Sequence, residues 1–473
     1  MISTVARKEM KEMIRDGRFR WAGGIVLALL AGSLAMGWQH YREVNAQHEL
    51  ARRATREQWL HQGVKNPHSA AHYGVYAFKP KMPLSLVDQG VDPWVGVTAF
   101  LEAHKQNEFK YRPAQDSTAI QRFGELTGAA VLQLLIPLVI ILLAFPAFAE
   151  ERERGTLRQV LSLGVKPSQL GWGKALGIGW GVGLLVLPAT LLGTLALALS
   201  AENGAFQSSL PRMAVMFVSY LLYFTAILAI SLAVSARARS SRLALVGLIG
   251  FWIFNGLIAP RLAADLAKTV YRTPSAFEFA RNIEMGLKNG VDGHDPADRR
   301  AEELRDAVLK KYNVTKVSDL PVAFQGISLQ AGEEHGNQVF DHYYSQLWDT
   351  FRQQERVHQI ASLAAPMLAV RSLSMALAGT DFAQHAHFAR ASEEYRRVIQ
   401  RVMNTDIANN GKVADGPYLR DADLWKQVPD FDYRAPDLAW VLSRQSLSLA
   451  LLTAWAAGSI LLAWRATQRL RVD

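Results

Sequence analysis

Six stretches of this chain carry no Asp, Glu, Lys or Arg over a length that can cross a lipid bilayer. They cover residues 21–41, 126–149, 175–201, 213–236, 243–260 and 445–464. At about 1.5 Å per residue, even the shortest, 18 residues, reaches about 27 Å, close to the thickness of a hydrocarbon core. A segment inside lipid has no water to satisfy its backbone, so runs of this length are read as helices. The sequence therefore predicts a mainly α membrane protein with six transmembrane helices. Half of its 473 residues are hydrophobic, yet a fifth are charged. That balance leaves room for a large, mostly helical domain outside the bilayer.

The signs of the charges set an orientation. Arg7, Lys8, Lys11, Arg15, Arg18 and Arg20 precede the first run. Arg152, Arg154, Arg158, Lys166 and Lys174 follow the second. Arg237, Arg239 and Arg242 follow the fourth, and Arg465, Arg469 and Arg471 follow the sixth. Six crossings put all four groups on one side, which the positive-inside rule makes cytoplasmic. Both termini are then cytoplasmic. The short loop on the other side, residues 202–212, has one basic residue. The net charge of +10 is thus explained by topology, and no nucleic-acid partner is implied. With no cysteine, disulfides, thiolate metal sites and lipoprotein acylation are excluded. Twenty residues precede the first apolar run and no small-x-small site follows it, so the N-terminus does not read as a cleavable signal.

Taken in order, residues 1–20 read as a cytoplasmic interfacial amphipathic helix, with Ile2, Val5, Met10, Met13 and Ile14 on one face. The first transmembrane helix is 21–41, and the breaker-poor stretch after it can prolong that helix. Residues 42–125 form a first external segment, divided by Pro80, Pro83, Pro93 and Pro113. Here His68 and His72, four apart, share a helix face and are weak candidates for a metal, with Glu102 or His104 as a third ligand; the expectation is no metal. Transmembrane helices follow at 126–149, 175–201, 213–236 and 243–260. Pro137 and Pro146 predict kinks in the first of these. Gly173, Gly177 and Gly181 put small residues on one face at the start of the next, a surface for close helix packing. Contact with a second subunit is the alternative use. Polar positions are confined to Ser219, Tyr220, Tyr223, Thr225, Ser231 and Asn255, with no ionisable group near the middle of any span. An ion-driven carrier usually has one, so an external energy source is expected.

Residues 261–444 form a second external segment. Asp295 and Pro296 read as N-cap and first position of a helix. A further helix is expected over 337–363, ended by Pro366, and another after Thr380 or Asp381. Glu333, Glu334, His335, Asp341 and His342 cluster in sequence, whereas His385 and His387 fall on opposite helix faces. The last transmembrane helix is 445–464 and 465–473 is a cytoplasmic tail. The ends of both segments reach the same side, so they are expected to form one composite domain.

The densest charge lies in residues 150–174. Glu150, Glu151, Arg152, Glu153 and Arg154 come first, then Gly155, Thr156 and Leu157. A short amphipathic helix is predicted over 156–163, with Leu157, Val160 and Leu161 on its apolar side. The run ERERGTLRQVLSLGVKPSQLGWGK resembles the cytoplasmic loop of permease subunits of type-2 ATP-binding-cassette (ABC) exporters. The runs KNPHSAAHYGVYAFKPKMPLSLVDQGVDPWVGVTAFLEAHKQN, RFGELTG and LAVRSLSMALAGTDFAQHAHFARASEEYRRVIQRVMN resemble a branch of that family with an enlarged external domain of unknown function.

The resemblance implies a permease coupled to a separate ATPase subunit through residues 150–163, with Glu150, Glu151, Arg152, Glu153, Arg154, Gly155, Thr156, Leu157 and Leu161 as coupling residues. It implies a second permease, as homodimer or heterodimer, and a bacterial inner membrane. Membrane lipid is the other expected partner. ATP and Mg would sit on the ATPase and no cofactor on this chain. A phosphate-binding loop of the form G-x-x-x-x-G-K-[ST] is missing: position 168 is Ser and Ala175 follows Gly173-Lys174. Neither H-E-x-x-H nor G-x-S-x-G occurs, so no enzyme is expected. A mechanotransmitter that drives an outer conformational change without cargo crossing, and an uncoupled membrane-anchored binding protein, remain alternatives. The cargo is left open between lipid-like molecules, peptides and siderophores.

Overall fold

Helices account for most of the chain in the computed structural model, which describes residues 1–106, 109–110, 112, 114, 126–200, 205–412 and 416–470. Asn107, Pro113, residues 122–125 and 201–204 and the end of the tail, 471–473, named above, lie outside the described residues. Six helical stretches are long and apolar enough to cross a membrane: Gly17–Leu60, Gly128–Glu153, Pro167–Leu199, Phe206–Arg237, Ser241–Val270 and Ser446–Gln468.

Helix α1 spans Ile2–Arg15, shorter than the 1–20 expected. Asp16 takes extended backbone angles and its carboxylate accepts the Arg18 N–H at 2.8 Å. This N-cap starts α2, Gly17–Leu60. Its 44 residues make a helix about 66 Å long, far beyond a bilayer's thickness. The next elements are α3 (Pro67–Tyr73), β1 (Val75–Phe78), β2 (Thr98–Leu101) and β3 (Phe109–Lys110). The strands form an antiparallel sheet in sequence order, with Val75 opposite Leu101 and Ala99 opposite Phe109.

The second span is broken into α4 (Ile136–Ala144) and α5 (Pro146–Glu153). A π-helical turn, Val131–Leu135, comes before α4. Pro137 has no N–H to offer Gln133 one turn back. The Tyr223 hydroxyl donates to that carbonyl instead, at 3.0 Å, and Trp252 Nε1 donates to Leu134 O at 2.9 Å. At the Pro146 break, Ser235 Oγ donates to Phe145 O at 2.7 Å and accepts the N–H groups of Phe148 and Ala149 at 3.0 and 3.2 Å. Neighbouring spans thus satisfy the carbonyl that Pro137 frees and bond backbone groups beside the Pro146 break.

A short helix, α6 (Thr156–Ser162), leads to α7 (Pro167–Ser200) and α8 (Ala205–Arg237). The fifth span is α9 (Ser241–Ile253), a second π-turn (Phe254–Ile258) and α10 (Ala259–Val270), again with proline just after the turn. The π-turn holds Asn255. Its amide donates to the Tyr223 hydroxyl at 3.0 Å, and its oxygen accepts Met367 N–H at 3.1 Å. A parallel chain of bonds runs from Gln133 to Tyr220, Ser374 and Asp88. The polar residues foreseen in spans four and five therefore tie spans two, four and five to the segment beyond them.

That segment contains α11 (Ala276–Asn289), α12 (Ala297–Tyr312), α13 (Phe324–Ala361), α14 (Pro366–Ala378) and α15 (Phe382–Asn410). Pro296 itself is the N-cap of α12, one residue later than expected. Helix α13 starts thirteen residues before 337 and Asp381 caps α15. Nearly every residue of α14 is buried, and it packs against α8 and the last span, α17 (Ser446–Gln468), which α16 (Leu438–Arg444) precedes. Arg212, the basic residue of the short loop, is buried here and donates to Leu377 O at 3.4 Å.

The two non-spanning segments pack as one body. Trp59 at the end of α2 is buried beside Trp425 and donates to its carbonyl at 2.9 Å. Lys65 and Arg420 exchange backbone hydrogen bonds of 3.0 and 2.9 Å, and β2 and α3 lie on α15.

Replacing Asn255 with Leu takes the acceptor from Met367 N–H and the donor from Tyr223 Oη, which keeps its own bond to Gln133 O. Leaving the Met367 N–H unpaired costs on the order of 1–3 kcal/mol. Thermal unfolding in detergent is expected to show a clear fall for Asn255→Leu and none for Leu257→Ala, whose side chain is exposed.

Candidate functional site

The charged hairpin is built between α5 and α7. Gly155 holds φ +73° and Gly164 φ +84°, angles that a residue with a Cβ adopts at a cost of about 1–2 kcal/mol. They bracket α6 and turn the chain at each end. Leu157 is fully buried, with Val160 and Leu161 half-buried beside it, against Ala147, Phe148, Val165 and Leu232. Burying one such leucine is worth about 1.5–3 kcal/mol, enough to seat a seven-residue helix that could not hold itself together in water. Arg158, Gln159, Ser162 and Leu163 are left outward, and Leu163 is 83% exposed.

The hairpin's charges divide by direction. Arg152 donates to the carbonyls of Ala236 and Ala238, both at 2.7 Å, at the C-terminal end of α8. Glu153 accepts from Ser241 N–H and Oγ, at 3.2 and 2.7 Å, at the start of α9. Both contacts suit the helix dipole, cation at the C-terminus and anion at the N-terminus. They fasten the hairpin to the connection between spans four and five. Arg154 pairs with Glu150 four residues back and stays largely in solvent, and the exposed Thr156 donates to Glu151 O at 3.2 Å.

Glu151 turns inward. Its Oε1 lies 2.9 Å from Lys174 Nζ, which is also 2.7 Å from Glu9 on α1. The Lys174 side chain is 1% exposed and rests against the Phe148 ring. Lys8 joins the group, 3.4 Å from Glu151. Partial burial alone would lower the Lys8 ammonium, but Glu9, Glu151 and Glu12 raise it above its ordinary value. Lys174, read in sequence as one of the border cations and as the end of a false phosphate loop, is thus the joint between three elements.

The glycine face supplies the other half of that joint. A Cβ on Gly173 would lie 2.5 Å from Val5 Cβ, and one on Gly177 would lie 2.6 Å from Glu9 Cβ. The Met13 side chain occupies the same space at Gly181. The partner of this face is therefore α1, and no room remains there for a second subunit. The face of α1 that packs is Val5, Ala6, Glu9, Met10 and Met13, while Ile2 and Ile14 point outward. The apolar face expected from spacing is therefore divided: Val5, Met10 and Met13 pack toward the glycine groove, and Ile2 and Ile14 do not.

Outside the spans, His68 and His72 face the same way from α3, and His104 comes to meet them from the turn after β2. The three rings can offer nitrogens that lie within 4.8 Å of one another. Glu102 instead pairs with Lys105 at 2.5 Å. The sequence cluster in α13 does not converge: Glu333 is buried against His104 and Arg396, His335 contacts Leu287 O, Asp341 pairs with Arg397, and His342 meets Gln346. His385 is buried against Phe109, and His387 contacts Tyr433.

Six membrane-length helices and a charged hairpin at their border define a multi-pass α-helical membrane protein. The family model described as ABC-2 family transporter protein matches residues 103–268. A domain of unknown function (DUF3526) matches residues 276–434. Together the two matches fit a type-2 ABC permease with an additional domain, the family that the hairpin resembles. Such a permease is a translocation subunit, and its family implies an ABC ATPase as partner. No curated protein matches the chain.

Substituting Lys174 with Met leaves Glu9 and Glu151 facing each other with only the half-exposed Lys8 beside them, and breaking a buried pair in this way costs up to about 3–5 kcal/mol. A Gly177→Leu change pushes α1 away directly. Both variants are expected to melt earlier than the parent, whereas Gly24→Leu, where a Cβ meets open space, leaves the midpoint unchanged. Restoring neutrality in a Glu9→Gln, Glu151→Gln, Lys174→Met triple variant recovers part of the loss.

Proposed function

We propose that this chain is the permease subunit of an ATP-driven exporter and that a separate ATPase docks on α6 and its flanks. The observation that carries the reading is the division of α6 into a rooted face and an offered one. Leu157 holds it to the bundle, while Leu163 and Arg158 project from the surface. An apolar side chain kept in solvent beside charges has the character of a docking contact. Leu157 and Leu161 then act as the anchor that transmits force, and Leu163 joins Arg154, Thr156 and Arg158 as the contacting set. Glu151, Arg152 and Glu153 convey movement to α7, α8 and α9 through the bonds described above.

In this reading ATP and Mg belong to the ATPase, a second permease completes the pathway as an identical or related chain, and the charged hairpin lies in the cytoplasm with both termini. The membrane is a bacterial inner membrane, and the composite body of α3, the sheet and α11–α15 lies on the outer side, where it gates or receives cargo.

A second reading has support of its own. Helix α2 runs without interruption from α1 to Trp59 in the core of the composite body. Closure of the ATPases could be sent along it as a push on that body, with no cargo crossing. A continuous polar or lipid-sized passage between the permease halves favours export, and a tightly packed interface favours transmission.

The test of coupling uses the permease with its co-purifying ATPase. Leu163→Asp combined with Arg158→Glu is expected to reduce permease-stimulated ATP hydrolysis by about tenfold or more, the equivalent of one interfacial hot spot of about 1.4 kcal/mol or above. The melting midpoint of the permease should not move, since both side chains are exposed. Undiminished co-purification and stimulation would remove the coupling assignment.

A further inference from the structure

The three histidines are drawn from parts of the chain that the sequence does not link. His68 and His72 stand one turn apart on α3, which Asn66 caps and Pro67 opens. His104 lies in the turn after β2, in a left-handed backbone conformation with φ +68°. A residue other than glycine holds such angles at a cost of about 1–2 kcal/mol, and strain of this kind collects at functional positions. The turn is held by Glu333 of α13. One oxygen of that carboxylate accepts the His104 backbone N–H at 2.9 Å and lies 2.7 Å from His104 Nδ1.

That contact decides which ring nitrogen is free. With Nδ1–H directed at Glu333, His104 presents Nε2 to the other two rings. Glu333 is 3% exposed, and its other oxygen is fixed by Arg396 at 2.9 Å. Held between His104 and Arg396, the carboxylate is placed to orient a ligating imidazole from behind. Carboxylate–histidine pairs of this form are the usual outer shell of a protein-bound metal.

The spacing of the rings fits the same purpose. His68 and His72 bring Nε2 to Nε2 at 3.3 Å. Two nitrogens bound at about 2.0–2.1 Å to a tetrahedral ion stand about 3.3–3.4 Å apart. The ring centroids form a nearly equilateral triangle with sides of 4.8, 5.0 and 4.9 Å. His72 and His104 are exposed and His68 is half-buried, so the fourth position opens to solvent.

We propose that His68, His72 and His104 form a three-histidine site for a divalent transition-metal cation of the Zn²⁺ class, with Glu333 as the positioning carboxylate and one coordination position left for water or an exchangeable ligand. Imidazole donors without thiolates select zinc, copper and nickel over magnesium and calcium. The site clips α3 of the first segment to α13 of the second. His68 and His72 precede both matched family ranges, His104 lies in the first and Glu333 in the second, so the site exists only where the segments are assembled. It does not depend on the coupling assignment.

The test uses the tag-free full chain in detergent, stripped with chelator and dialysed. Titration with Co²⁺ is expected to give the intense visible absorption of a tetrahedral ion at one equivalent per chain, abolished by competing Zn²⁺. His72→Gln, at an exposed position that leaves the fold intact, should weaken binding by more than the roughly 10–100-fold that an outer-shell partner is worth, with Glu333→Gln falling within that range. Ligation needs the neutral imidazole, so affinity is expected to fall as the solution is made acid. Absence of the tetrahedral spectrum, or a stoichiometry that survives in the His68→Gln, His72→Gln, His104→Gln variant, would overturn the proposal.

Discussion

One buried ammonium keeps the membrane edge together. Lys174 sits between Glu9 and Glu151 with 1% of its side chain exposed, so three elements meet at a charge that none of them can leave cheaply. Removing both carboxylates would strand a cation against Phe148, and removing the lysine leaves two anions with only the half-exposed Lys8 as partner. The glycines on α7 make the arrangement possible, because only without Cβ atoms can α1 come close enough to bring Glu9 within 2.7 Å of Lys174. The hairpin, the N-terminal helix and the third span therefore move as a unit or not at all. Force applied to α6 has nowhere to dissipate locally, and this rigidity suits a coupling element.

A second set of constraints operates deeper in the bundle. Prolines in spans two and five free backbone carbonyls where lipid offers nothing in exchange. Tyr223 satisfies the Gln133 carbonyl that Pro137 frees, and Trp252, Ser235 and Asn255 bond groups beside the breaks. The same residues that repair each break also link it to another span and, through Met367, to α14. Since α14 is almost wholly buried against spans four and six, the additional domain is rooted in the bundle rather than tethered to it. Together with the 44-residue α2, this gives two rigid connections between the membrane part and the composite body. Either export gating or mechanical transmission would use them.

Much of the hairpin was legible. Its charge, its Gly-Thr-Leu turn and the apolar spacing of Leu157, Val160 and Leu161 lead to a short helix seated on its apolar side, and α6 lies there. What spacing could not show is that Leu163 stays in solvent, because Gly164, at positive φ, turns the chain directly after it. The N-terminal helix illustrates the same limit. Its periodicity allows a face with Ile2 and Ile14, yet a groove 165 residues away selects Val5, Glu9 and Met13.

Sequence by itself determined the six crossings, their one-sided positive charge and the position of the hairpin, since each follows from a local property: the length of an uncharged run measured against a hydrocarbon thickness, or the sign of charge at its border. Only the tertiary structure decided who meets whom. Gln133 and Tyr223 are 90 residues apart, Glu333 and His104 are 229 apart, and His104 joins His68 and His72 from another strand connection. Such meetings depend on how helices are packed and how turns are aimed, and no periodicity in a single segment contains that information.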